Sequence, residues 1–160
     1  MKKLFILIIG MAMLQTVSAQ ELKAVKYTDG AQELNGLVTS NAGKNLPGVL
    51  ILPAWMGIDD EAKTAALDLE KQGYIAFVAD IYGKGNIPTD FASASKMAGQ
   101  FKTDYALYQK RISLALDELK KAGTQSKIAV IDYCFGGTGA LETARAGFDV
   151  AGVISIHGGL

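Results

Sequence analysis

Cysteine, histidine and tryptophan occur once each in the 160 residues, and proline three times. A lone cysteine excludes an internal disulfide, and a lone histidine beside it leaves too few ligands for a zinc centre. Neither sign of charge is in excess, since sixteen basic and sixteen acidic residues cancel. That balance lacks the basic stripe of a nucleic-acid binder, and no run of like charge marks a disordered tail. The apolar run Leu4 to Leu14 falls short of the roughly 20 residues that a membrane span needs. Internal repeats and low-complexity segments are also missing. What is present is ordinary globular composition, 49% apolar and 20% charged, enough for one domain with a core.

The first residues read as a secretory signal peptide. Lys2 and Lys3 precede the apolar run, and Val17-Ser18-Ala19 offers small residues where a signal peptidase cuts. No cysteine lies near that point to carry a lipid anchor. The expectation is residues 1–19 as signal peptide, a domain over 20–160, and an exported protein, periplasmic or extracellular. Loss of two lysines leaves the mature chain mildly acidic.

Along the domain, Leu22 to Thr28 and Glu33 to Ser40 read as two strands around Asp29-Gly30, an exposed antiparallel edge. Val49 to Leu52 is a buried strand. Asp59 or Asp60 caps a helix whose Ala62, Ala65, Ala66 and Leu69 form a narrow face, and Gly73 ends it. Tyr74 to Ala79 is the next strand, so this strand-helix-strand unit implies parallel pairing. Tyr82 to Asp90 is a loop, Phe91 to Phe101 a short helix, and Asp104 to Ala122 the longest helix. Tyr105, Tyr108, Ile112, Ala115, Leu116 and Leu119 are its expected buried stripe, and Gly123 stops it. Val150 to Ile156 reads as a further buried strand.

Lys127 to Arg145 organises the rest. Ile128 to Ile131 is a continuous apolar run, as in a strand buried on both faces. Gly136, Gly137 and Gly139 then permit a tight strand-to-helix turn. Cys134 sits at its apex, where a nucleophile elbow would hold its reactive side chain and where a helix N-terminus favours a thiolate. The alternative is a buried structural cysteine. A nucleotide site at this turn is disfavoured, because Glu142 stands where G-x-G-x-x-G needs glycine, and Gly83-Lys84-Gly85 lacks P-loop spacing.

Tyr133-Cys134-Phe135-Gly136-Gly137 resembles the elbow of the dienelactone hydrolase family, α/β-hydrolases with a cysteine nucleophile. Val49 to Ile58, Ala79 to Gly85 and Ser155 to Gly159 are similar to three further blocks of that family, in its order. The resemblance covers roughly Gly36 to Leu160. It implies an α/β fold: a mostly parallel sheet with helices on both faces and an N-terminal antiparallel hairpin. The implied activity is cleavage of a carboxylic ester or lactone, without metal or cofactor. A small-molecule substrate is implied, with no nucleic acid, and no membrane once the signal is cleaved. The family's aspartate and histidine follow two further strands, so the chain reads as C-terminally incomplete. The rival reading is an inactive fragment or binding module that keeps the fold without the triad.

The resemblance assigns Cys134 as nucleophile. The N–H groups of Phe135 and Trp55 become oxyanion donors, with Met56 beside the substrate. Lys84 lies near the family's arginine for a substrate carboxylate, and its plainer reading is a solvated loop lysine. His157 is the only possible histidine base in the chain, although its His-Gly-Gly resembles a structural strand end. Two positions depart from the family pattern: Asp132 replaces a glycine, and Ala54 replaces a glutamate. Asp132 could be a local acid, a charge opposing the thiolate, or a hydrogen-bonding turn residue.

Overall fold

A computed structural model describes residues 20–124 and 127–158. The signal-peptide reading therefore lies outside the described residues. Six strands form one sheet in the order β1-β2-β4-β3-β5-β6. These are β1 (Leu22–Asp29), β2 (Gln32–Thr39), β3 (Gly48–Leu52), β4 (Ile75–Val78), β5 (Ile128–Tyr133) and β6 (Gly152–Ile156). β1 pairs antiparallel with β2 and β2 antiparallel with β4, while the remaining pairs are parallel. Helices α1 (Asp60–Lys71), α2 (Phe91–Thr103), α3 (Tyr105–Lys121) and α4 (Phe135–Arg145) complete the α/β architecture.

Strand alternation divides the core into two layers. Leu50, Leu52, Phe77 and Val130 point to the side of Tyr108, Ile112, Ala115 and Leu119 of α3. Val49, Ile51, Ala76 and Val78 point the other way, onto Ala62 and Ala66 of α1. The small side chains of α1 let it lie close on the sheet. Caps fix the helix starts: Asp59 accepts from Ala62 N–H, Asp90 forms a capping box with Ser93, and Asp104 accepts from Leu107 N–H. Gly73 and Gly123, both at positive φ, close α1 and α3.

Four expectations need correction. Of the first two strands only β1 is an exposed edge; β2 buries Leu34, Val38 and Thr39, because it pairs with β4 inside the sheet. Thr39 satisfies its buried hydroxyl by donating to Asn41 and accepting from Ala76 N–H. Tyr105 is 46% exposed rather than part of the buried stripe; it opens α3, and Tyr108, one turn later, is the first tyrosine over the sheet. β5 is buried on one face only, with Ala129, Ile131 and Tyr133 half-buried. β6 begins at Gly152 rather than Val150 and is not buried, Ile154 being 52% exposed. The cause is the same for β5 and β6: α1 lies over β2, β3 and β4, and among the described residues no helix covers that face of the last two strands.

Candidate active site

β3 and β5 are parallel neighbours, with Leu52 opposite Asp132. Their carboxyl ends therefore deliver the loop from Pro53 to Gly57 and the turn at Cys134 to one sheet edge, where ligands bind in open α/β sheets. Cys134 adopts φ 55, ψ −107, a conformation that costs a non-glycine residue about 1–3 kcal/mol. It caps α4 without using its side chain, so the half-buried thiol remains available beside a helix N-terminus. The main chain is held on both sides. Cys134 N–H donates to Ile156 O at 3.0 Å, and Gly137 N–H donates to Cys134 O at 3.0 Å. Ser155 Oγ donates to Gly137 O at 3.1 Å. Gly137 lies so close to Gly158 that a Cβ on either would overlap the other's backbone, so the tight approach requires glycine at both.

Phe135, the residue after the apex, is sandwiched between Tyr108 (ring centroids 5.2 Å apart, 3° between planes) and Tyr82 (5.9 Å, 15°). Phe101 meets it edge-on at 6.5 Å. Tyr82 also donates its hydroxyl to Trp55 O at 2.8 Å. One tyrosine thus ties the loop after β3 to the residue after Cys134. Burial pushes Tyr82 well above the ordinary phenol range, and charge at Cys134 adds to the push, so its hydroxyl stays a donor. Within the loop, Gly57 N–H donates to Ala54 O at 2.9 Å, and Trp55 stacks on the exposed Phe91 at 5.7 Å.

The structure brings Cys134, Phe135, Trp55 and Met56 to the same sheet edge, with Met56 and Ala54 half-buried in the loop. His157 is there too, because Ile156 pairs with Tyr133; its side chain is exposed and its φ is +45. Lys84 is engaged elsewhere. Its Nζ lies 3.2 Å from Glu33 Oε1, and its main-chain N–H donates to Glu33 O at 2.8 Å. The ammonium holds the Glu33 carboxyl below its usual range. Asp132 is fully buried, with Oδ2 accepting from Ala140 N–H at 2.7 Å, and desolvation raises its carboxyl to about 7. Sequence reasoning missed the linking role of Tyr82, although Tyr82 stands inside the block Ala79 to Gly85. It also missed Phe91, for which a lone aromatic at a helix start gives no signal. Among the described residues no three of His, Cys, Asp and Glu gather as a metal site would need.

Comparison with known proteins places the family and the fold. Residues 34–160 match the model of the dienelactone hydrolase family. A Bradyrhizobium protein named "Probable 2-oxo-3-(5-oxofuran-2-ylidene)propanoate lactonase" is 31% identical over 121 residues, 74% of this chain and 48% of that one. The chain thus spans about half the length of the curated relative it matches. Among solved structures, a dienelactone hydrolase-like promiscuous phosphotriesterase from metagenomic libraries is 36% identical with TM-score 0.81, over 89% of this chain and 61% of that one. The dienelactone hydrolase of Anabaena variabilis, 16% identical with TM-score 0.60 over 87% of this chain and 64% of that one, shares the fold.

Proposed function

The chain belongs to the dienelactone hydrolase family, and from that premise we propose that it is the nucleophile-bearing part of a hydrolase that cleaves a carboxylic ester or lactone through Cys134. The observation that carries the reading is the strained backbone of Cys134, held between a parallel strand and a helix start with its side chain uncommitted. Strain of that kind persists where the surroundings over-determine it, and here Gly137, Gly158 and the Ile156 carbonyl do so.

In this mechanism the Cys134 thiolate adds to the acyl carbon, and the carbonyl electron pair moves onto oxygen. The N–H groups of Phe135 and Trp55 receive that oxyanion. Its collapse breaks the C–O bond to the alcohol portion, which leaves as an alkoxide and takes a proton; in a lactone it stays tethered. Water then hydrolyses the thioester and restores the thiol. The family pattern assigns the proton transfers to a histidine and an aspartate that follow two strands later. The test is hydrolysis of p-nitrophenyl acetate and dihydrocoumarin by the whole gene product. Cys134→Ala is expected to lower the rate on the order of 100-fold or more and to abolish an acyl adduct seen by mass spectrometry. Full activity in that variant removes Cys134 from the chemistry.

We further propose that the protein is exported and that its mature chain starts at Gln20. N-terminal sequencing of material from a bacterial host should find Gln20; retention of Met1 overturns this.

A further inference from the structure

Asp132 lies two residues before Cys134 and is completely buried. Its two oxygens have unequal surroundings. Oδ2 accepts the Ala140 N–H of α4 at 2.7 Å. Oδ1 has no donor among the described residues. Oδ1 instead crowds the point above Gly136 where a Cβ would stand, and the Leu52 carbonyl oxygen crowds the same point from β3. Two bare acceptors bordering one point in a dry site repel, and a proton on one of them removes the conflict. Leu52 is also the strand partner of Asp132 and the last residue before the loop that carries Trp55.

We propose that Asp132 is a positioning residue that works as the neutral acid. Its Oδ1–H donates to Leu52 O while Oδ2 accepts from Ala140 N–H, clamping the end of β3 to the first turns of α4. That clamp would hold the loop of Trp55 and the turn of Cys134 and Phe135 in register, so that their N–H groups converge on one oxyanion.

Burial favours the protonated form, and the Ala140 N–H bond pulls the other way more weakly. From α3 comes Tyr108, whose buried hydroxyl also lacks a partner and which lies above the ordinary phenol range, first through burial and then through Asp132. Cys134 follows on the same turn, and Tyr82 stacks behind Phe135. Glu142 of α4 is taken up by Gln109 and Arg145. β3 and β6 present Leu52 and Ser155, which do not titrate. The one cation among them, Arg145, is paired with Glu142, and desolvation outweighs the Ala140 hydrogen bond.

The proposal rests on the ester or lactone reading only in its consequence for catalysis, and the test separates the two. Infrared spectra of the wild-type protein at pH 6 should show the carbonyl stretch of a buried protonated carboxyl, absent in Asp132→Asn. The Asn amide can donate to Leu52 O and accept from Ala140 as the neutral acid does. It should therefore keep kcat within about threefold of wild type and lose the fall in melting temperature that wild type shows as pH rises from about 4 to 7. Asp132→Ala, which supplies no donor, should lower kcat about tenfold or more at little changed KM. Should Ala fail to fold, the infrared band and the Asn variant still decide. Tyr108→Phe should leave the pH dependence in place; its disappearance would give the proton contact to the phenol and overturn the clamp. Absence of the band, or an Asn variant with the wild-type pH dependence, overturns the proposal. Neither readout changes if Cys134→Ala proves fully active.

Discussion

Asp132 and Cys134 show how two neighbours on one turn acquire opposed requirements. The thiol needs the partial positive charge of a helix start to ionise, whereas the carboxyl beneath it has lost its water and gained no cation. Burial moves Asp132 from 3.8 to about 7, so the folded chain keeps a proton that the unfolded chain has released. Between those values the unfolded state binds fewer protons than the folded one. Stability therefore falls as pH rises through that window and levels off above it. At 1.36 kcal/mol per pH unit the loss is on the order of 4 kcal/mol. Asp29 works in the opposite sense. Its carboxyl is held below the usual range, first by Lys110, and the stability this adds is lost as pH falls. Urea midpoints compared between wild type and Asp132→Asn at each pH isolate the Asp132 part, since Asp29 is common to both. The difference should grow steadily toward pH 7 in favour of Asn.

At the scale of elements, short polar signals decide where helices begin. Asp104 serves two at once: its main-chain N–H closes α2 on Gln100 O, and its carboxylate accepts Leu107 N–H to open α3. α3 matters most here, because Tyr108 stacks on Phe135 and Arg111 pairs with Asp29 of β1 at 2.9 Å. Loss of this cap should loosen the wall behind Phe135 as well as the helix. Asp104→Ala is expected to cost about 1 kcal/mol, and Asp104→Asn only a few tenths. Chemical denaturation with an unchanged m-value would show it; equal stability of the Ala variant would mean that packing alone fixes the start of α3. The α2–α3 junction was placed from sequence to within two residues, because Asp followed by a periodic apolar stripe is local information.

Across the whole molecule, the two ends of the sheet differ. β1 ends it with alternating polar residues and lysines, which discourage pairing with another chain. β6 ends it with an apolar strand, and Ile154 is exposed beside the half-buried Ile131, Tyr133 and Ile156. Among the described residues no strand pairs with that edge, and an apolar edge of this kind is a template for association. The 160-residue chain expressed without further sequence should self-associate, and Ile154→Lys should reduce that association, read as lower light scattering at equal concentration. Scattering unchanged by Ile154→Lys would place the contact elsewhere.

The α/β order of elements, an aspartate cap on α1, the stops at Gly73 and Gly123, and the turn that exposes Cys134 are legible in the chain itself. Each follows from residues within a turn or two of one another: a capping oxygen, a glycine free to take positive φ, a stripe at helical spacing. Which faces are covered emerges from long-range packing. Thr39 looks like an exposed strand end until β4 pairs beside it, and the apolar run of β5 looks doubly buried until α1 is found to stop short. The same packing makes Lys84 answer Glu33, lets Tyr82 join two loops, and sets Asp132 opposite Leu52 in a site where desolvation dominates. These outcomes depend on chain segments 27 to 80 residues apart, and no local pattern encodes the dielectric or the partner that a residue meets after folding.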